Sequence, residues 1–333
     1  MSSSPVVPAV SLVCVGQAVF DHRFTVVQIP TQPTKVLAHD YLGLPGGMAS
    51  GAAITAARLG AQAHLITRMG NDPMADLLMQ RFTAEGITCD ASCRVPNSRT
   101  AVSSVVIDAR GERQIIHAPT NAFERGAPLT PNDLDVLLKE SAASSRPESA
   151  AQGNLQGSES PTTVIVCDPR WPQGAAMALR WARANQLPSV LDADIAPPEV
   201  LLPLVALADW AIFSEAALDA FFPAPTITGQ LQQALDAGAR HVAVTQGAKG
   251  VQWLEQLTLC HLPALSLAVK DTTGAGDAFH GAFAVALGQG KPARECVAFA
   301  NHVAGLKVAN GNGILGAPTL KELNQSRNHH DRR

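Results

Sequence analysis

Between Asp271 and Phe283 the chain reads DTTGAGDAFHGAF. Two glycines flank an alanine, a carboxylate follows at once, and the apolar pattern from Ala275 onward suits a helix. Gly274 and Gly276 permit backbone conformations closed to other residues and let a ligand approach the main chain. A helix starting there turns unbonded N–H groups and the positive end of its dipole toward whatever lies in front, which makes an anion seat. Asp277 is then a negative side chain beside a seat for negative charge. A lone Asp at a helix start most often caps the helix; beside a bound phosphate it acts as a base on the attacking group.

The elements that must position this turn are legible as an alternation. Apolar runs suited to buried strands (VSLVCVG, AHLITRMG, TTVIVCD, PSVLDAD, WAIFS, HVAVTQG) take turns with helical patterns such as GMASGAAITAARLG, MADLLMQRFTAEG, GAAMALRWARANQ and GQLQQALDAGA. That rhythm predicts an α/β fold with a doubly wound, mostly parallel sheet between helices, as a single domain over 1–333. Ligands in such sheets sit beyond the C-terminal strand ends. Asp168, Arg170, Asp192, Asp194, Ser214, Glu215, Thr245 and Gly247 follow the strands and are the residues to question. Residues 22–43 and 99–117 break the rhythm as short strands with turns, the second a hairpin across DARGER, and predict a small antiparallel β lid. Residues 141–162, rich in Ser, Ala, Gly, Gln and Pro, read as a flexible surface insertion.

Composition removes whole classes of function. Over 333 residues, 46% are hydrophobic and the net charge is −3, enough apolar material for a large core and no electrostatic footprint for a nucleic acid. The N-terminus MSSSPVVPAV lacks a signal-peptide pattern, and no apolar run reaches the length of a membrane span. A cytoplasmic protein with no membrane partner is the expectation. Cys14, Cys89, Cys93, Cys167, Cys260 and Cys296 are scattered and read as reduced thiols; Cys89 and Cys93 lack a second pair with zinc spacing.

The 271–283 stretch, GGMASGAAITAARLGAQAHLITRMGNDPMADLL, GQAVFD, VTQGAKG and FANHVAGLKVANGNG together resemble, in order, the signature blocks of the ribokinase-like (PfkB) carbohydrate kinases. Within the family, DPRWPQGA, LDADIAP and FSEAAL look most like kinases of fructose-type ketoses, sulfofructose kinase in particular. The resemblance implies an ATP- and Mg2+-dependent phosphotransferase. Asp277 would be the base on the sugar hydroxyl, and Gly274, Ala275 and Gly276 would give amides to the transferred phosphoryl group. Asp21, Gly46 and Gly47 would hold the sugar. Ser214, Glu215, Thr245, Gly247, Gly250 and Asn301 would lie along the nucleotide, with Asp192 and Glu215 helping magnesium through water. Asp271, Thr273 and the ANGNG loop resemble the frame of a monovalent-cation site, K+ in some members. A homodimer through the lid is expected on the same ground.

The chain departs from the family at Gly51, where many members carry an Asn that contacts the sugar. Lys35, His117 and Arg170 are candidates to compensate by binding an anionic tail, a phosphate or sulfonate. Singly, each of the three is more often a solvated surface charge; together with the missing Asn they favour an anionic substrate. Lys249 and Lys307 could meet phosphate, but solvated lysines are so common that both are left out of the site. The expectation is thus a kinase of a ketose-like, anionic sugar. The alternatives are a neutral-sugar or nucleoside kinase of the same family, and a non-catalytic sugar- or nucleotide-binding regulator.

Overall fold

Strands buried on both faces need no polar alternation, and the apolar runs of this chain behave accordingly. The computed structural model describes residues 9–89, 93–144 and 161–330. In chain order, β1 (Val10–Val15) leads to β2 (Val19–Thr25) and β3 (Asp40–Gly46), and α1 (Met48–Arg58) returns to β4 (Gln62–Ile66). The short β5 (Met69–Gly70), α2 (Pro73–Ala84), β6 (Thr88–Cys89) and β7 (Arg94–Val95) precede a hairpin of β8 (Ala101–Ile107) and β9 (Arg113–Ala118), then α3 (Ala122–Arg125) and α4 (Pro131–Ser144). Strand and helix then alternate through β10 (Thr162–Cys167), α5 (Pro172–Ala184), β11 (Ser189–Ala193), α6 (Pro198–Val205), β12 (Trp210–Ser214), α7 (Glu215–Phe221), α8 (Ile227–Asp236) and β13 (His241–Thr245). The hairpin β14 (Val251–Glu255) and β15 (Thr258–Leu262) leads to α9 (Ala275–Gly288), α10 (Ala293–Asn310) and α11 (Leu320–His330).

A nine-stranded sheet in the order β15-β14-β13-β12-β11-β10-β1-β4-β6 forms the core. It is parallel from β6 to β13 and antiparallel over its last two pairs. Alternate residues of β1 serve opposite faces: Leu12 and Cys14 join one apolar cluster with α1, α9 and α10, while Val13 and Val15 join a second with α5, α6 and α8. Helices α1 and α9 approach closely, because a Cβ on Gly281 would stand 2.5 Å from the Ala52 carbonyl. Parallel strands all end on one edge, so that edge collects the residues that follow them.

The small sheet runs β3-β2-β8-β9, antiparallel at both edges with β2 and β8 paired in parallel. Its strands extend beyond the expected 22–43, beginning at Val19 and ending at Gly46, with residues 26–39 irregular between them. The expected hairpin across 108–112 is present. Of the segment 141–162, residues 145–160 lie outside the described residues; 141–144 complete α4 and Thr162 opens β10. Among the described residues no helix is long and apolar enough to cross a membrane. Cys14, Cys93, Cys167 and Cys296 are buried, and Cys89 and Cys260 half-buried.

Candidate active site

The anion turn forms as its sequence demands. Gly274 caps α9 in the left-handed region at φ 78°, a conformation that disfavours any side chain, and a Cβ there would press on Ile314 at 3.3 Å. The Ala275 amide donates to the Thr272 carbonyl at 3.2 Å, so the forward donors of the first turn are the amides of Gly276 and Asp277. A Cβ on Gly276 would meet nothing within 4 Å. Asp277 follows on the same turn and keeps part of its surface open to a cavity of about 480 Å³. Its position deep in the cleft desolvates it, and Asp192, Asp21 and Asp168 add repulsion that His280 only partly offsets, so its pKa is driven well above the usual carboxylate range.

Across the cavity from this turn stand β2, β3 and β9. Asp21 projects from β2 over Gly46 so closely that a Cβ on Gly46 would overlap its carboxylate. Burial pushes the Asp21 carboxyl up to about 6, with Asp271 adding to the shift and a hydrogen bond from Ser103 opposing it. Gly47, at φ 96°, turns the chain into α1 and lines the same cavity. His117 on β9 is held between Gln17 (Nε2 to Nε2, 3.2 Å) and the Ser103 hydroxyl (3.1 Å to Nδ1). Burial, followed by the neighbouring Arg170, keeps His117 below its usual pKa. Arg170 also faces the cavity, but its guanidinium already donates to the Ile195 carbonyl at 2.9 Å and to Asp194 at 3.2 Å. Lys35 does not join the others: it is exposed in the irregular 26–39 segment and is not among the cavity-lining residues.

The residues read as nucleotide contacts cluster outside this cavity, at the ends of β12 and β13. Ser214 caps α7 and donates to Asp194 at 2.9 Å. Glu215 accepts from Lys249 at 2.8 Å and Gln246 at 2.7 Å, which together hold it below the usual range. Thr245 donates to the Phe213 carbonyl at 3.2 Å. Gly247 and Gly250 close the turn after β13 at φ 53° and 92°. Asn301 is buried on α10 and donates to the Pro263 carbonyl at 2.9 Å, fixing the irregular segment that leaves β15. Asp192 is buried at the end of β11, and burial together with Asp194 and Asp168 raises its pKa well above the usual range. Among the described residues no three metal-binding side chains form a cage.

The frame read as a monovalent-cation site holds a cation of the protein's own. Asp271 accepts from the amides of Thr273 (2.8 Å) and Gly313 (2.7 Å) and from Arg23 of β2 (3.3 Å). Lys307 is fully buried beneath it, its Nζ 2.8 Å from the Asp271 carbonyl and 4.0 Å from Asp271 Oδ1. The residues present therefore do not fit an added potassium ion, and the reading of Lys307 as a solvated lysine is corrected. Lys249, by contrast, is exposed.

Two participants escaped the sequence reading, and a third, Asp194, was questioned there without being given a role. Gln17 follows β1 and orients His117. Asp194, one of the post-strand residues, holds Arg170 and Ser214. His280, one turn into α9, is buried with Nδ1 2.8 Å from the Gly276 carbonyl and 3.3 Å from Asp192. His280 and Asp277 both lie in the quoted stretch, three residues apart and so on neighbouring faces of the helix, a spacing that was available as a signal.

Comparison with known proteins agrees with this geometry. The profile of the pfkB family carbohydrate kinases matches residues 10–320. The chain is 26% identical to a ribokinase of Bacillus subtilis over 94% of its length and 98% of the relative's. It is 24% identical to a fructokinase of Vibrio alginolyticus over 89% and 94%. A solved chain from Agrobacterium tumefaciens, provisionally called a ribokinase, superposes with a TM-score of 0.83 at 31% identity, covering 97% of this chain and 99% of that one. An Arabidopsis thaliana ribokinase solved with ribose and ATP gives a TM-score of 0.75 at 22% identity over 95% and 98%.

Proposed function

This chain belongs to the pfkB family of carbohydrate kinases, and from that premise we propose that it moves the γ-phosphoryl group of ATP to a hydroxyl of a neutral, ketose- or pentose-like sugar, with Asp277 as the base. One observation carries the reading: Asp277 and Asp21 face a single cavity from opposite sides, with the left-handed Gly274 turn at its edge. The sugar lies along Gly46 and Gly47, its hydroxyls donate to Asp21, and the attacking hydroxyl donates to Asp277. A carboxylate whose pKa is raised by burial is a stronger proton acceptor than an exposed one. The Gly276 and Asp277 amides meet the charge that develops on the transferred group. When bound with the nucleotide, magnesium would supply further charge stabilisation, and Asp192 and Glu215 are the residues that would help hold it through water. Arg23 and Arg113 of the small sheet reach the Asp271–Thr272 loop at 3.3 and 2.6 Å, so closure of that sheet over the turn excludes water from the reaction.

The charge of the cavity favours a neutral sugar. Asp21, Glu124, Asp194 and Asp277 line it, and Arg170, the sole guanidinium among the described lining residues, is already paired with Asp194. A second reading, an anionic ketose, is supported by the way Arg170 and His117 share one wall. ADP release with Mg-ATP, measured across ribose, fructose, adenosine, fructose 6-phosphate and 6-deoxy-6-sulfofructose, separates them. Turnover of the uncharged sugars is expected, and activity confined to the anionic ones would overturn the neutral assignment. Work in the cytoplasm as a homodimer through the lid belongs to the same proposal: Ile116 and Tyr41 expose 66% and 50% of their surface there. A monomer by analytical sedimentation would remove the dimer from it.

A further inference from the structure

Lys307 is a lysine with no solvent exposure. It lies on α10, one turn before the helix ends at Asn310, and none of its side chain is exposed. An ammonium taken out of water is costly unless it is paired. Its one hydrogen bond among the described residues goes to the Asp271 carbonyl at 2.8 Å, with the Asp271 carboxylate 4.0 Å away. Burial lowers its pKa to about 8, while Asp271 and Asp277 work to raise it and Arg113 and Arg23 work against them. The ammonium is thus paired with Asp271 and lies within electrostatic reach of Asp277.

Its surroundings form a compact support for the anion turn. Gly311, Asn312 and Gly313 all have positive φ, at 74°, 63° and 55°, and the run turns the chain sharply after α10. Here the Gly313 amide donates to Asp271 Oδ2. The next residue, Ile314, packs against Gly274, the residue that sets the turn. Lys307, Asp271, the 311–313 run and Gly274 thus form one continuous set of contacts behind the turn. Removing the charge would leave Asp271 held by Arg23 of the small sheet, by Thr273 and by the Gly313 amide.

We propose that the Lys307 ammonium is a built-in cation and a positioning residue, which fixes Asp271 and the 311–313 run behind the Gly274 turn and makes Mg-ATP binding independent of potassium. The inference rests on the kinase reading of the site. It is distinct from the choice of sugar, because its readout needs none.

Calorimetric binding of Mg-ATP to the full chain, in potassium chloride and in tetramethylammonium chloride at equal ionic strength, tests it. The wild type should bind equally in the two salts. Lys307→Ala removes the ammonium and leaves space in its place. This variant should bind at least about fivefold more weakly in tetramethylammonium, the lower end of couplings between neighbouring sites, and recover in potassium. A role limited to packing would not show that recovery. Stronger wild-type binding in potassium overturns the proposal, as does a Lys307→Ala variant with the same affinity in both salts. Should the variant fail to fold, the wild-type comparison alone decides between the two. Absence of Mg-ATP binding by the wild type in either salt would overturn the kinase reading and this inference with it.

Discussion

Adding one methyl group at Gly51 tests how tightly α1 sets the position of the base. An ideal Cβ on Gly51 would stand 2.6 Å from Asp277 Cβ, 2.7 Å from its Oδ2 and 3.0 Å from its Cγ. Carbon atoms rest at about 3.5–4.0 Å, so Gly51→Ala must part the two groups by roughly 1 Å. Rotation of the Asp277 side chain cannot relieve this, because its Cβ is fixed to the α9 backbone. The helices have no slack either, since Gly281 already lies against Ala52. Overpacking of this kind costs about 1–3 kcal/mol, offset by about 0.5–1 kcal/mol from replacing Gly within a helix. The net loss lowers the melting temperature by only about 1–3 °C in a chain of this size. Displacing a reacting group by about 1 Å costs on the order of 100-fold in rate. Gly51→Ala should therefore melt almost normally by tryptophan fluorescence while its kcat for ADP release collapses. A variant that keeps the wild-type kcat would refute the claim that Gly51 exists to seat Asp277. Gly51→Asn, which restores the residue common in the family, should fail in the same way.

Three further substitutions probe other parts of the site. Asp277→Asn should lower kcat by about 10²–10⁴-fold, the range of a general base, with Mg-ATP affinity by calorimetry little changed; near-normal turnover would remove Asp277 as base. Asp21 has its pKa raised to about 6, so the ionised form that accepts sugar hydroxyls is lost as pH falls through that value. The sugar kcat/KM should decline on the acid side of pH 6, and Asp21→Asn should abolish that limb. Because a raised pKa favours the protonated folded form, the stability Asp21 contributes is present below the usual carboxylate range and lost as pH rises through about 6. Asp21→Asn should then melt higher than the wild type at pH 7–8, and an unchanged or lower melt would contradict the desolvation argument. Arg58 joins Glu85 through two contacts of 2.8 Å and donates to the carbonyls of Leu315 and Ala317. Arg58→Ala strands a partly buried carboxylate and should cost about 3–5 kcal/mol in urea unfolding; an unshifted midpoint would mean that the Glu85 pair contributes nothing.

What the sequence disclosed and what it withheld follow from the range of the interactions involved. The strands of the parallel sheet announce themselves because burial on both faces demands uninterrupted apolar runs, and 10–15, 162–167 and 210–214 are such runs. The hairpin was legible at β8, whose residues alternate between buried and half-buried, though β9 is exposed throughout. Gly274, Asp277, Gly46 and Gly47 were legible because a turn and its helix are set by neighbours in the chain. Lys35 was misjudged because the lid as a whole faces the site while the irregular 26–39 segment carries Lys35 out into solvent. Lys307 was misjudged in the opposite direction. A lysine near the end of a helix is ordinarily solvated, and only the fold brings Asp271, 36 residues earlier, against its ammonium. Gly51 shows the same limit from a third side. As a missing sugar ligand it pointed to a change of substrate, whereas in three dimensions any side chain there would press on Asp277, so the position is first a matter of how closely two helices pack. Local chemistry can be read along the chain; a position whose partner lies on another element cannot be assigned until the partner is in place.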